Sequence, residues 1–317
     1  MPPPSGAEAC FRASNSSQTL FPSKRVESPS PLPFPAPLLV SYLMPTKSST
    51  LGALEVISSR ENRWLKTFRA ALQRGEPTSR GFIGVEGPHL VEDALRAGLE
   101  TSTILVSTSG EEFLDQLAPL LGRSVQRLKT TDRLFDAVAD TRSPQGIAAL
   151  VRPRPAQFDD LLRGVPLLVV LVAVQDPGNV GTILRSAEAF GASGVITCAG
   201  TAHPFAPKAL RASAGSALRL PIAAGPSPSI LLAQLRVAGI RSFAATLDEG
   251  ISPADADLRS SAALFIGNEG AGLPPELERS ADACIYIPLA AGVDSLNAAV
   301  AASVLLYEAA RQRMVKK

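Results

Sequence analysis

A chain of 317 residues has room for two domains of ordinary size, each with its own hydrophobic core. With 45% hydrophobic and 19% charged residues it has the profile of an α/β globular protein and not of a fibrous or disordered one, and 5% aromatic residues leave too little ring surface for a broad base-stacking platform. The net charge of +2 admits an RNA partner without arguing for one, while Cys10, Cys198 and Cys284, with His89 and His203, form no C-x-x-C or H-E-x-x-H spacing, so no metal is expected and a reducing, cytoplasmic setting fits best.

Residues 1–50 are rich in Pro and Ser without a sustained period, and are expected to be a disordered extension or an over-long start ahead of Met44. The apolar stretch from Pro31 to Leu43 is too short and too proline-broken to span a bilayer, so no membrane partner is expected. From Ser59 onward Trp64, Phe68 and Leu72 recur every four residues and Gly75 follows. That spacing predicts an amphipathic helix whose outer face is basic, with Arg60, Arg63, Lys66, Arg69 and Arg74. Strands are then expected at Phe82–Val85, Thr103–Val106, Ser124–Leu128 and Ile147–Val151, alternating with helices that open at Pro88, Glu111 and Asp132. The alternation is that of a small α/β domain over residues 51–152. Arg152-Pro-Arg-Pro-Ala-Gln157 is a stiff polar break, and residues 153–164 read as a linker. In the remainder, 165–317, Leu167–Val174 is a nearly continuous apolar run, as a central parallel strand buried on both faces requires, with further strands expected at Gly194–Cys198, Ser242–Thr246, Ala262–Ile266 and Ala283–Ile287.

Three segments of this second half carry residue types suited to chemistry. The first, Asp176-Pro-Gly-Asn-Val-Gly-Thr-Ile-Leu-Arg-Ser-Ala-Glu-Ala-Phe-Gly191, follows the central strand with a turn and a helix for which Asn179 is the expected N-cap. Arg185 falls in the second turn of that helix, near the carboxyl end of the strand, where open sheets bind ligands. The second, Phe265-Ile-Gly-Asn-Glu-Gly-Ala-Gly-Leu-Pro274, surrounds Glu269 with glycines that let a ligand approach backbone amides; it is neither a G-x-x-x-x-G-K-[ST] loop nor a G-x-G-x-x-G turn. The third, Ile287-Pro-Leu-Ala-Ala-Gly-Val-Asp-Ser-Leu-Asn297, leads into an apolar helix for which Asp294 or Ser295 is the expected cap, with Ser295 and Asn297 in its first turn. Taken singly, the first segment reads equally well as an ordinary strand-turn-helix and the second reads better as a tight turn before a helix, whereas in the third capping accounts for one polar residue and not all three, which invites a functional reading.

In this order and spacing, from Pro166 to Arg311 and with the intermediate Pro207-Lys-Ala-Leu-Arg-Ala-Ser-Ala-Gly215, the segments resemble the SpoU (TrmH) family of RNA ribose methyltransferases in the SPOUT superfamily. Upstream, Phe82-Ile-Gly-Val-Glu-Gly-Pro-His-Leu-Val91 and Ser143-Pro-Gln-Gly-Ile147 look like the family's substrate-binding domain of L30e-like fold. The resemblance implies a parallel sheet with a deep trefoil knot, S-adenosyl-L-methionine as methyl donor, and a homodimer that completes the site. It implies a ribose 2′-hydroxyl as acceptor, in ribosomal RNA ahead of transfer RNA. The catalytic set it implies is Asn179, Arg185, Glu269, Ser295 and Asn297, and the donor cradle Ile266, Gly267, Gly272, Ile287 and Leu296. The first domain then grips RNA, with Arg60, Arg63, Lys66 and Arg142 as phosphate contacts. Family proposals make the arginine a base; a guanidinium is cationic, so orienting the target phosphate or hydroxyl suits Arg185 better. The third segment departs from the commonest family form in having Ala291 where glycine is usual, with Gly292 beside it. The alternative is an inactive RNA-binding protein of the same fold, against which the joint presence of the five polar residues argues. A dinucleotide-binding enzyme would need a glycine-rich turn after the first strand of this half, where the chain has Gln175-Asp-Pro-Gly-Asn179.

Overall fold

The computed structural model describes residues 54–314; the expectation for residues 1–50 lies outside them. The first sheet is built from β1 (Leu54–Val56), β2 (Ile83–Glu86), β3 (Glu100–Ser107), β4 (Gln126–Thr130) and β5 (Ile147–Arg152) in the order β1-β4-β3-β5-β2, with β5 antiparallel to both its neighbours. The helices between them are α1 (Arg63–Gln73), α2 (Pro88–Arg96), α3 (Glu111–Leu117) and α4 (Asp132–Asp136). Helix α1 starts at Arg63 and not near Ser59, because Asn62 caps it by accepting a bond from the Trp64 amide at 2.8 Å. Its apolar stripe of Leu65, Phe68 and Leu72 is fully buried against Phe82, Leu105, Leu128 and Phe135 on one face of the sheet, and its basic residues are left outward.

The second sheet is wholly parallel: β6 (Leu167–Leu171), β7 (Gly194–Thr197), β8 (Ile222–Ala224), β9 (Arg241–Thr246), β10 (Ala262–Ile266) and β11 (Ala283–Tyr286), in the order β11-β9-β10-β6-β7-β8. Helices α5 (Pro177–Ala189), α6 (Pro207–Ala212), α7 (Ser216–Arg219), α8 (Pro228–Val237), α9 (Pro275–Ser280) and α10 (Ala298–Met314) accompany it. Every side chain of β6 and β10 is buried, which is why both strands are apolar throughout with no alternation. Strands β1 and β8 were not expected, each being too short to show a period. β6 also stops before Val174: Ala173 takes φ +55, a conformation rare for a residue with a side chain, and the chain leaves the sheet there.

The segment after β5 is packed and does not hang free. Arg154 donates to the Gly98 carbonyl of the first domain, the Ala156 amide donates to Ile222 at 2.9 Å in the second, and Leu161, in a short 3-10 turn, is fully buried. The two sheets also share one continuous hydrophobic cluster, in which Val85 and Leu90 join Leu210 and Leu218. Arg219 pairs with Asp93 across the junction at 2.9 Å, and Arg211 pairs with Asp140.

The last helix is fastened at its end by Arg313, whose guanidinium donates to the carbonyls of Leu258 (2.8 Å), Val165 (2.8 Å), Pro166 (3.2 Å) and Ser260 (2.7 Å). Replacing Arg313 by alanine removes these four bonds, leaving Pro166 with only its bond from the Ala262 amide, and should cost about 2–3 kcal/mol of stability, read as a lower denaturant midpoint with an unchanged slope.

Candidate active site

The second sheet reverses its direction of growth between β6 and β10: from β6 the chain adds β7 and β8 on one side, while β10 and β9 lie on the other. Open α/β sheets bind ligands outside the carboxyl ends of the strands at such a point. The two strands run in register from Leu167 opposite Ala262 to Leu171 opposite Ile266, so the residues that follow them emerge side by side. One set is the first polar segment, the other the glycine-rich loop.

Side chains knit these loops together. Asp176, not Asn179, caps α5: its carboxylate accepts from the Gly178 amide at 2.9 Å, and the Lys208 ammonium at 2.6 Å holds that carboxyl below the usual range. Asn179 is therefore inside the first turn and free to bridge. Its amide donates to Glu269 at 2.9 Å, and its oxygen accepts from the Asn297 amide at 3.0 Å. Glu269 also faces the backbone amides of Gln175 and Asp176, each at 3.4 Å. Partial burial opposes the charged form of Glu269, but these donors outweigh it and leave the carboxyl below its ordinary value. A residue from each of the three polar segments is thus joined in one chain of hydrogen bonds.

Asn297 also replaces Asp294 and Ser295 as the expected cap. α10 begins at Ala298, and the Asn297 side-chain oxygen accepts from the amides of Ala299 (2.9 Å) and Val300 (3.3 Å), so Ser295 and Asn297 precede the helix and do not lie in its first turn. One side chain both starts α10 and ties it to α5. Asn297→Ala should lose the cap and the bond to Asn179 together, lowering stability by about 1–2 kcal/mol in thermal unfolding and reducing activity by more than that loss of folded protein explains.

Beside this network is a cavity of about 580 Å³. All of Ile266, Gly267, Gly272, Ile287 and Leu296 line it, as do Glu269 and Ser295. Gly267 is there by necessity, since a Cβ would lie 2.4 Å from the Gly272 carbonyl carbon and 2.6 Å from the Leu273 nitrogen. The loop is closed on itself by reciprocal backbone bonds between Asn268 and Gly272, both 3.0 Å. The cavity does not take in Asn179, Arg185 or Asn297. Arg185 is exposed on α5, with no ion pair or side-chain hydrogen bond to another described residue.

Residues that sequence reasoning missed include Asn268, which donates to the Ala173 carbonyl at 2.9 Å and accepts from the Gly270 and Ala271 amides, fixing the strained Ala173 and the glycine loop at once. An asparagine between glycines is a turn signal that would have found it. The wall formed by Thr246, Leu247 and Asp248 was also missed, although it follows the carboxyl end of β9, where ligand-binding loops belong. Of the basic residues in the first domain, Arg60, Arg63, Lys66 and Arg142 are all exposed; Lys66 meets Glu61 at 2.6 Å and Arg63 lies 5.3 Å from the Trp64 ring centre. The structure does not bring the α1 cations to the cavity. Among the described residues no three His, Cys, Asp or Glu side chains are grouped to hold a metal, and no helix is long and apolar enough to cross a membrane.

A wholly parallel sheet with a glycine-walled cavity at its switch point defines a ligand-binding α/β domain, here fused to a smaller α/β domain. Residues 166–307 match the SpoU rRNA methylase family and residues 62–149 the MRM3-like substrate-binding domain, and the chain belongs to the SpoU family. It is 33% identical over 254 residues to the 23S rRNA (guanosine(2553)-2′-O)-methyltransferase RlmP of Bacillus subtilis, covering 80% of this chain and 98% of that one. To the 23S rRNA (uridine(2479)-2′-O)-methyltransferase of Streptomyces viridochromogenes it is 34% identical over 267 residues, covering 81% and 92%. Its fold matches the crystal structure of the SpoU methyltransferase AviRb from Streptomyces viridochromogenes in complex with AdoMet, with a TM-score of 0.73 at 30% identity over 81% of this chain and 100% of that one. An AdoMet-bound rRNA methyltransferase from Sinorhizobium meliloti also gives a TM-score of 0.73, at 32% identity over 82% and 98%.

Proposed function

We infer that this chain transfers a methyl group from S-adenosyl-L-methionine to a ribose 2′-hydroxyl of ribosomal RNA. The observation that carries the reading is the joining of Asn297, Asn179 and Glu269 by hydrogen bonds beside a cavity that Glu269 and Gly267 line. The cavity suits the donor. Ile266, Ile287 and Leu296 give it apolar walls for a purine, and Gly267, where a Cβ would strike the Gly272 and Leu273 backbone, lets the lining loop fold closely on itself. When bound, the donor supplies an electrophilic methyl on a sulfonium. The chain's own residues bind and orient. Glu269 and Asn179 hold the two loops at a fixed spacing, Ser295 presents a hydroxyl to the cavity, and Arg185 grips the target phosphate or hydroxyl by charge-assisted bonds so that the oxygen lies in line for attack.

Arg185 performs that role across a homodimer. It adjoins Ser186, which bonds to Ser303 of α10 at 2.7 Å, and the outer side of α10 leaves Val300, Val304 and Tyr307 exposed at helical spacing. A second copy seated on this apolar stripe covers it and receives Arg185 at its own cavity. The deep trefoil knot belongs to the same reading, as does the use of Arg60, Arg63, Lys66 and Arg142 for RNA phosphates. The reading is tested by offering the purified chain labelled S-adenosylmethionine with separate pools of unmodified ribosomal and transfer RNA. Label in the ribosomal pool supports it; label confined to transfer RNA removes the substrate assignment, and neither label nor donor binding removes the enzyme.

A further inference from the structure

Resting on that methyltransferase reading, we infer that the cavity at the junction of the two domains holds one unstacked nucleotide of the substrate RNA, next to the nucleotide that is methylated. The cavity measures about 540 Å³ and is lined by Glu86, His89, Thr141, Ser143 and Gln145 of the first domain and by Arg211 of α6 in the second. It is separate from the donor cavity and of a size that takes a small ligand, for which pockets run to about 300–1,000 Å³.

The chemistry of its lining favours a nucleotide. Its acids are already engaged: Glu86 accepts from the Asp140 amide at 2.7 Å and from the Thr141 hydroxyl, and Asp93 meets Arg219 at 2.9 Å. Of the two, Asp93 is paired with a cation, while Glu86 is held by neutral donors. His89, Ser143 and Gln145 are exposed, and their side chains bond to no other described residue. Together they present an aromatic face, a hydroxyl and an amide that both donates and accepts, the groups that read the edge of a splayed base. Gly87, between Glu86 and His89, has φ +93, which a residue with a side chain resists, although only Gln145 Oε1 at 3.5 Å lies near the place of a Cβ. One cation lines the cavity, Arg211, which is exposed and pairs with Asp140.

The position favours a neighbour of the target. Lys208 and Arg211 are three residues apart on α6, about 4.5 Å along its axis, and Lys208 touches Asp176 at 2.6 Å, the cap of the helix that carries Asn179. A strand whose ribose lies at the catalytic network therefore passes Lys208 and reaches this cavity within about one helical turn. The basic end of α1 is farther off. Gly75, past the end of α1, abuts Pro207, and Lys66 lies nine residues back, about 13 Å along the helix.

The test uses the full chain with His89→Ala and Gln145→Ala combined, two exposed positions whose loss is checked by thermal unfolding, and an unmodified 23S rRNA transcript carrying 4-thiouridine. KM for the transcript should rise about tenfold, the cost of losing two ordinary hydrogen bonds, while S-adenosylmethionine titrates as before. Ultraviolet cross-links of the unaltered chain should map to residues 86–89 or 141–145 and disappear in the double variant. An unchanged KM, or adducts confined to residues 60–66, overturns the proposal. If the unaltered chain neither transfers a methyl group nor binds S-adenosylmethionine, the methyltransferase reading fails by itself, and the cross-links still decide the cavity: adducts there support it, and adducts elsewhere or none overturn it.

Discussion

Replacing Arg185 by alanine should lower the rate of methyl transfer by about 10² to 10⁴ while leaving S-adenosylmethionine binding unchanged. The two halves of this expectation have separate causes. Arg185 does not line the donor cavity and bonds to no other described residue, so neither donor affinity nor the fold depends on it. On the proposed reading it supplies a cation to the RNA at the site of a second copy, and its exposed guanidinium, bonded to no other described residue, is free for that role. Single-turnover rates and calorimetric donor titration of the same preparation check both halves. A fall in donor affinity as large as the fall in rate would show that Arg185 supports the fold of its own cavity instead.

Gly267→Ala should do the reverse, weakening donor binding by about five- to 150-fold, the range that an over-packing strain of about 1–3 kcal/mol implies. The added Cβ meets the backbone of Gly272 and Leu273, not the movable end of a side chain, so the loop itself must shift, and Asn268 and Glu269 shift with it. Titration of the variant with S-adenosylmethionine measures the effect; unchanged affinity would place the donor elsewhere. The two variants complement each other if the site is shared between copies. Mixing Arg185→Ala with Gly267→Ala then regains up to about a quarter of the original activity, because half of the dimers pair unlike chains and each of these keeps one intact site.

Much of the scaffold was legible in the sequence, because burial leaves a periodic trace. Phe68 and Leu72 announced α1, and the unbroken run from Leu167 announced a strand covered on both faces. The family motifs marked Ile266, Gly267, Gly272, Ile287 and Leu296, which the fold sets around one cavity. What escaped was local and cooperative. Asn179 and Asp176 are equally good caps by type, and the choice fell to Asp176 because Pro177 suits the first helical position and Asn179 has partners in Glu269 and Asn297, about 90 and 118 residues away in sequence. Asn297 was misplaced for a similar reason: with Asp294 and Ser295 close before it, nothing in the order of residues said which would turn back onto the helix. The fusion of the domains was hidden as well, since a Pro- and Arg-rich segment gives no sign that Leu161 beyond it is fully buried.

The most direct test of the central claim is the alkali stability of the RNA product. Strand cleavage in base requires attack by a free 2′-hydroxyl on the adjacent phosphate, so methylation of that oxygen protects a single linkage, whereas methylation of a base protects none. After reaction with labelled S-adenosylmethionine and complete alkaline hydrolysis of the ribosomal RNA, the label should be recovered in one dinucleotide and be missing from the Arg185→Ala reaction. Label recovered in mononucleotides would mean that the methyl group goes to a base, and the ribose assignment would fall.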